Sequence, residues 1–288
     1  MTSLAQENIF NKVIPTAWLT AYPKKFTDIP LANEIFNELE KLKKENGEEK
    51  VASELKASRL APELEARYKL VNKLLYQAGA MQILELASGL SSRGIVMAKD
   101  PSLEYVELDL PLMVETKRKI LSKITEIPPN LHLEPGNALN FKTINQITKV
   151  FSKNKPLVVI SEGLLRYLNF EEKAMVARNI HTLLEIFGGK WITPDITLKR
   201  FLRDQDEITM PGKNEKISRI TGKNFEQNGF EDEKQAIEFF TKRGFSVKKH
   251  TLMEVMNDLV SPKNLGLENE EVRKMIASAV VFVMEITT

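Results

Sequence analysis

The chain contains no cysteine, which excludes disulfides, thiolate metal sites and a cysteine nucleophile. Its three histidines, His132, His181 and His250, show no i, i+4 pair of the kind that grips a metal from one helix face, and they read as structural or surface residues. There is no G-x-S-x-G elbow to support serine-histidine-aspartate chemistry. Neither a G-x-G-x-x-G fingerprint nor a Walker A loop is present, so the cradle for a nucleotide di- or triphosphate is missing and an NAD-dependent oxidoreductase is disfavoured. The N-terminus lacks a basic stretch followed by an apolar core, and no apolar run reaches membrane-spanning length. A soluble cytoplasmic protein is expected. Charge of one sign is also lacking: 41 basic residues face 39 acidic ones, for a formal net charge of +2. No region is basic enough for a nucleic-acid face, and the mixed-sign run 40–50 reads as a solvated helix end and turn.

What is present is a core. Hydrophobic residues make up 42% of 288 positions, a length near the upper limit for one hydrophobic core. Residues 1–78 carry helical spacing, in Leu31, Ile35, Leu39 and Leu42 and again in Leu64, Tyr68, Val71 and Leu75, with Gly47 separating two helices. From residue 79 the rhythm changes. Short apolar runs at Met81–Leu86, Leu103–Leu108, Leu131–Glu134, Leu157–Ser161 and Lys190–Thr193 alternate with helical patterns near 92–99, 111–124, 142–152 and 170–187. Such alternation predicts βαβ units and a parallel sheet. A polar stretch within 198–230 reads as an insertion. A helix near 232–243, a strand at Phe245–His250 and a last strand within Ala277–Ile286 follow. The short link before the last strand suggests that it enters the sheet antiparallel. The two tryptophans, Trp18 and Trp191, read as packing, with Trp18 the better placed to face a substrate if the N-terminus forms a lid.

In an open α/β sheet, ligands bind beyond the carboxyl ends of the strands. After the first strand comes Ala87-Ser88-Gly89, either a tight turn or a place where backbone N–H groups face a ligand. Asp109 follows the second strand, about 20 positions on, where an acidic residue accepts from ribose hydroxyls; with Pro111 behind it, it could equally cap a helix. Asn137 follows the third strand and is either a turn residue beside Gly136 or an amide able to read an adenine edge. Glu162 follows the fourth. A carboxylate there is costly unless it is functional or paired, with Arg93 or Arg166 as the available partners.

In order and spacing, "ILELASGLSSRG", "YVELDLP", "GNAL" and "VVISEGLLRYL" resemble the leucine carboxyl methyltransferase family, which includes bacterial enzymes similar to the tetracenomycin-type polyketide O-methyltransferases. The match runs from about Arg67 to Leu168. The resemblance implies a Rossmann-like seven-stranded, mostly parallel sheet with helices on both faces and a helical N-terminal cover (1–78) over a methyltransferase core (79–288). It implies S-adenosylmethionine as cofactor and assigns the cofactor-binding positions. Glu85, Ala87, Ser88 and Gly89 would meet the methionine part, Asp109 and Leu110 the ribose, Asn137 and Ala138 the adenine. Glu162 and Gly163 would lie near the sulfonium or the amine. Arg67, in "LEARYKLVNKLL", resembles the arginine that holds the cofactor carboxylate, a task suited to a bidentate guanidinium; otherwise it is an exposed helix residue. In many family members an acidic residue stands where Asn137 stands here, although an amide can make the same contact. The segment "IPTAWLTAYPKKF" resembles the family's lid, with Lys24 and Lys25 as cations for the cofactor carboxylate.

The reaction so implied is O-methylation. A carboxylate acceptor needs no general base, whereas a hydroxyl benefits from one. No histidine stands at a strand end, and Asp195 is the remaining carboxylate so placed. Tyr167 and Asp195 are therefore the expected acceptor-side, catalytic residues. A small-molecule acceptor is favoured over a protein C-terminal carboxylate, and no nucleic-acid or membrane partner is expected. A catalytically silent protein that keeps the cofactor fold is the alternative from another class.

Overall fold

The computed structural model describes residues 17–45, 58–208 and 224–287, with positions 212, 215, 218, 219 and 222 between them. Gly47 and the expected break there lie outside the described residues. Seven strands form one sheet: β1 (Gln82–Leu86), β2 (Glu104–Asp109), β3 (Leu131–Pro135), β4 (Leu157–Ser161), β5 (Gly189–Thr193), β6 (Phe245–Thr251) and β7 (Val280–Ile286), in the order β3-β2-β1-β4-β5-β7-β6. The first five are parallel. β7 enters antiparallel between β5 and β6, as the short preceding link suggested. Residues 277–279 precede it rather than belonging to it, because the helix before β7 reaches Ile276.

β1 and β4 are buried along their whole length, which is why they read as nearly continuous apolar runs. Their alternate side chains feed two cores. Leu84, Leu86, Val159 and Trp191 face one, with helix α7 below; Ile83, Val158, Ile160 and Ile192 face the other.

Helices among the described residues include, in chain order, α1 over 17–24, α2 (Ala32–Glu45), α3 (Ala61–Gln77), α4 (Arg93–Met97), α5 (Pro111–Ile124), α6 (Phe141–Ile147), α7 (Phe170–Phe187), α8 (Lys199–Ile208), α9 (Glu233–Thr241) and α10 (Asn269–Ile276). Pro111 starts α5 at its first turn. α7 is framed by a capping box from Asn169 and Glu172 and ends at Gly188.

Helix α3 does not stand apart as a cover. Its Ala66, Leu70, Val71 and Leu74 share the second core with β1 and β4. The cover proper is α1 and α2, whose Trp18, Ile35, Phe36 and Leu39 join Leu64, Leu202 and Phe225 in a third cluster that also touches Leu90 and Tyr167. That cluster stands over the carboxyl ends of β1 and β4. Trp18 is a packing residue and does not face a substrate. It is 2% exposed, stacks on Tyr22 at 5.1 Å and donates to Glu40. Outside the sheet, Leu198 and Phe230 pair in an isolated parallel bridge.

Gly189 opens β5 at φ +105, and a Cβ there would lie 1.9 Å from the Leu157 carbonyl oxygen. Backbone cannot yield that distance cheaply. Gly189→Ala is expected to lower stability by about 2–4 kcal/mol, measured by chemical denaturation.

Candidate functional site

The sheet order reverses direction between β1 and β4, so their carboxyl ends form the crevice where ligands bind in open α/β sheets. The loop after β1 starts with Ala87 at φ +55 and Gly89 at φ +51. Where a Gly89 Cβ would stand there is no atom within 4 Å. The Gly89 N–H donates to Asp109 Oδ2 at 2.6 Å, and the Leu110 N–H donates to Asp109 Oδ1 at 2.7 Å. Asp109 is therefore not the helix cap. That position belongs to Leu110, which has no side-chain cap. Asp109 instead ties the loop after β1 to the end of β2, with lone pairs left on both oxygens. Burial pushes its carboxyl up from the usual range, against the pull of the two N–H groups. Beside it Leu110 is 40% exposed, an apolar surface at the rim of a polar site.

Glu162 takes both of the readings the sequence left open. It sits at the crevice and it is paired, with Arg93 and not with Arg166. Its Oε2 accepts from Arg93 at 3.1 Å, and its Oε1 lies 3.3 Å from Arg67 Nε. Burial raises its pKa, but Arg67, Arg93 and the nearby Lys24 outweigh this and hold the carboxyl below its ordinary value. Arg67 also pairs with Glu63 at 3.3 Å. It is buried and not an exposed helix residue; burial works against its charge, yet Glu162, Glu63 and Asp195 keep it firmly protonated. Its Nε nonetheless lacks an aligned hydrogen bond. Lys24, from α1, faces the same group and is pulled down by burial. Lys25 does not join it, lying over the Phe36 ring instead.

Glu85 is placed differently from its expected role. It is 1% exposed, and its oxygens accept from Arg93 at 2.5 Å and from Tyr105 at 2.6 Å. In this arrangement its carboxylate is spent on Arg93 and Tyr105. Arg93 itself is fully buried. It also donates to Asn72 at 2.9 Å and stacks on Tyr68. Ser88 is buried under the loop. Asn137 is exposed and accepts from the Leu139 N–H at 2.9 Å, the geometry of a turn residue, which leaves its amide N–H2 group facing outward chemistry. Ala138 is buried, and its carbonyl is held by Asn179 from α7 at 3.0 Å. Gly163 follows Glu162 at φ +77 with open space around it.

A cleft extends from this group past the ends of β4 and β5. Glu63, Arg67, Arg166, Asp195, Thr197 and Phe201 line it, and it encloses a cavity of about 20 Å³. Asp195 is 3% exposed and accepts from the Arg166 N–H at 3.3 Å; burial raises its pKa. Tyr167 lies beside it, edge-on to Phe225 at 5.2 Å, with its hydroxyl also pushed up by burial. None of the histidines enters this region: His132 pairs with Glu104, and His250 with Glu254.

The sequence reading missed Asn72, Glu63, Asn179 and Phe225, and it saw Arg93 only as a possible counter-ion. One signal was present. Two glutamates, Glu85 and Glu107, stand within apolar strands, and buried carboxylates demand buried cations.

A seven-stranded sheet of this order, five strands parallel and the seventh antiparallel between the fifth and sixth, is that of the Rossmann-like methyltransferase class. The model of the family described as leucine carboxyl methyltransferase matches residues 9–181, and the chain belongs to that family. It is 27% identical over 184 residues to a protein of Mycolicibacterium paratuberculosis and 25% identical over 195 residues to one of Mycobacterium tuberculosis. Both carry the name "Putative S-adenosyl-L-methionine-dependent methyltransferase". These matches cover 64% and 62% of this chain but 55% and 59% of the relatives, so the chain spans a little over half their length. Among solved structures, the methyltransferase domain of bacterial CtHen1-C is similar in fold, with a TM-score of 0.50 at 13% identity. The likeness covers 77% of this chain and 98% of that one.

Two outcomes test the electrostatics. Arg93→Met strands Glu85 and Glu162 without their shared cation, and should cost about 3–5 kcal/mol of stability; adding Glu85→Gln should recover part of it, both read by denaturant unfolding. Glu107, paired with Lys117, is pushed by burial from 4.5 up to about 7. The folded chain then holds a proton that the unfolded chain has lost, so its contribution falls as pH rises from about 4.5 to 7 and levels off above. Stability measured against pH should therefore fall across that window, and Glu107→Gln should remove that component.

Proposed function

We propose that this chain is a cytoplasmic S-adenosylmethionine-dependent O-methyltransferase acting on a carboxylate or hydroxyl of a small-molecule acceptor. The observation that carries the reading is the lock between Gly89 and Asp109 at the switch point, next to the Lys24, Arg67 and Glu162 cluster. The residues present fit the cofactor. Gly89 leaves open space beside exposed backbone, Leu110 offers an apolar face, and the buried Arg67 Nε still wants an acceptor.

When bound, S-adenosylmethionine supplies an electrophilic methyl group on a sulfonium. Asp109, already fixed by two N–H groups, would accept from the ribose hydroxyls without reorganising. Arg67 and Lys24 would hold the carboxylate end of the cofactor, and Glu162 its amine. Asn137 would donate its N–H2 group to the adenine edge, with Ala138 as the wall pinned by Asn179. The work of the chain is then orientation and exclusion of water, with α1 and α2 closing over the crevice. Asp195 and Tyr167 would line the acceptor side. For a hydroxyl acceptor the raised pKa of Asp195 suits it to take the proton; a carboxylate acceptor needs none.

Calorimetry with S-adenosylhomocysteine is expected to give micromolar binding, on the order of −7 to −8 kcal/mol, and none with NAD. Asp109→Asn should weaken that binding at least tenfold while leaving the melting temperature within a few degrees. Labelled methyl from the cofactor should then appear on a small acid or hydroxyl compound in a metabolite extract. A folded sample that ignores S-adenosylhomocysteine would sink the reading, and binding without transfer would leave a silent cofactor-binding protein.

A further inference from the structure

The cleft beyond β4 and β5 holds two arginines in unequal states. Arg67 is ion-paired with Glu63 and Glu162. Arg166 forms no ion pair among the described residues, and its buried Nε has no hydrogen-bond partner. The residue is nevertheless held in place. Its backbone N–H is bound by Asp195, and its guanidinium lies 5.0 Å over the Phe225 ring. A buried donor without an acceptor is costly, and the residue as a whole is only half-buried where it lines the cleft. Such a group is ready for an acceptor that arrives from outside the chain.

We propose that Arg166 is the positioning residue that reads the acceptor: it takes the anionic group of an acidic acceptor in a bidentate grip. Phe225, delivered by the segment 198–230, keeps the guanidinium plane in place from behind. This assignment rests on the methyl-transfer reading above and adds to it the residue that selects the acceptor and the charge it selects.

The test uses the full-length protein with phenylacetate and hexanoate as carboxylate probes and their amides as neutral controls, by calorimetry with and without saturating S-adenosylhomocysteine. The acids should bind wild-type protein at least tenfold more tightly than the amides. Arg166→Met should erase that preference and Arg166→Lys should keep part of it. S-adenosylhomocysteine affinity should stay within about twofold in both variants, which also certifies their fold. No acid preference in the wild type, or one that survives Arg166→Met, overturns the assignment. Failure of S-adenosylhomocysteine to bind wild-type protein would instead count against methyl transfer, while the acid preference, measured without it, still decides the role of Arg166.

Discussion

One guanidinium, sealed from solvent, holds the site together. Arg93 reaches Asn72 on α3, Glu85 on β1 and Glu162 beyond β4, and the Tyr68 ring covers its face. An ion cluster this deep gives little net stability, because desolvation offsets most of the attraction. What it supplies is register. α3, β1 and the loop after β4 can meet in only one arrangement that leaves none of these charges bare. The crevice residues inherit that arrangement: Glu162 is aimed by Arg93, and Arg67 is aimed by Glu162 and Glu63.

Much of the fold was legible in the sequence, for identifiable reasons. Parallel strands buried on both faces must be apolar throughout, so β1, β2 and β4 stood out. Pro111, Asn169 and Gly188 mark helix ends by backbone chemistry that acts locally, and α5 and α7 fell where the pattern put them. The cover was less legible. The helical spacing of Leu64, Tyr68 and Val71 says that a face is buried but not against what, and α3 turned out to belong to the sheet. Trp18 reads as packing and does pack, but an aromatic near a lid and an aromatic inside one look alike in sequence.

The candidate site divided along a similar line. Residues whose backbone does the work, Gly89 above all, could be located from the turn after a strand. Residues whose long side chains do the work could not. Glu85 follows the strand alternation, yet where its carboxylate ends depends on Arg93 and Tyr105, which arrive from 8 and 20 residues away. Arg93 and Arg166 were equal candidates to pair with Glu162, and only the three-dimensional path separates the arginine that is paired from the one that is not.

That separation also bears on Asp195. Its carboxylate accepts from the Arg166 backbone, while the Arg166 side chain lines the cleft with its buried Nε unpartnered. An acceptor that arrives as an anion carries its own nucleophile, so no proton needs removing. Asp195 is then free to fix the turn that presents Arg166, and burial costs it nothing in catalysis. A neutral hydroxyl acceptor would reverse the demands, requiring Asp195 as base while leaving Arg166 without an anion to bind. The guanidinium would find a partner under the first arrangement alone, so the role proposed for Arg166 goes with an acid as acceptor rather than an alcohol.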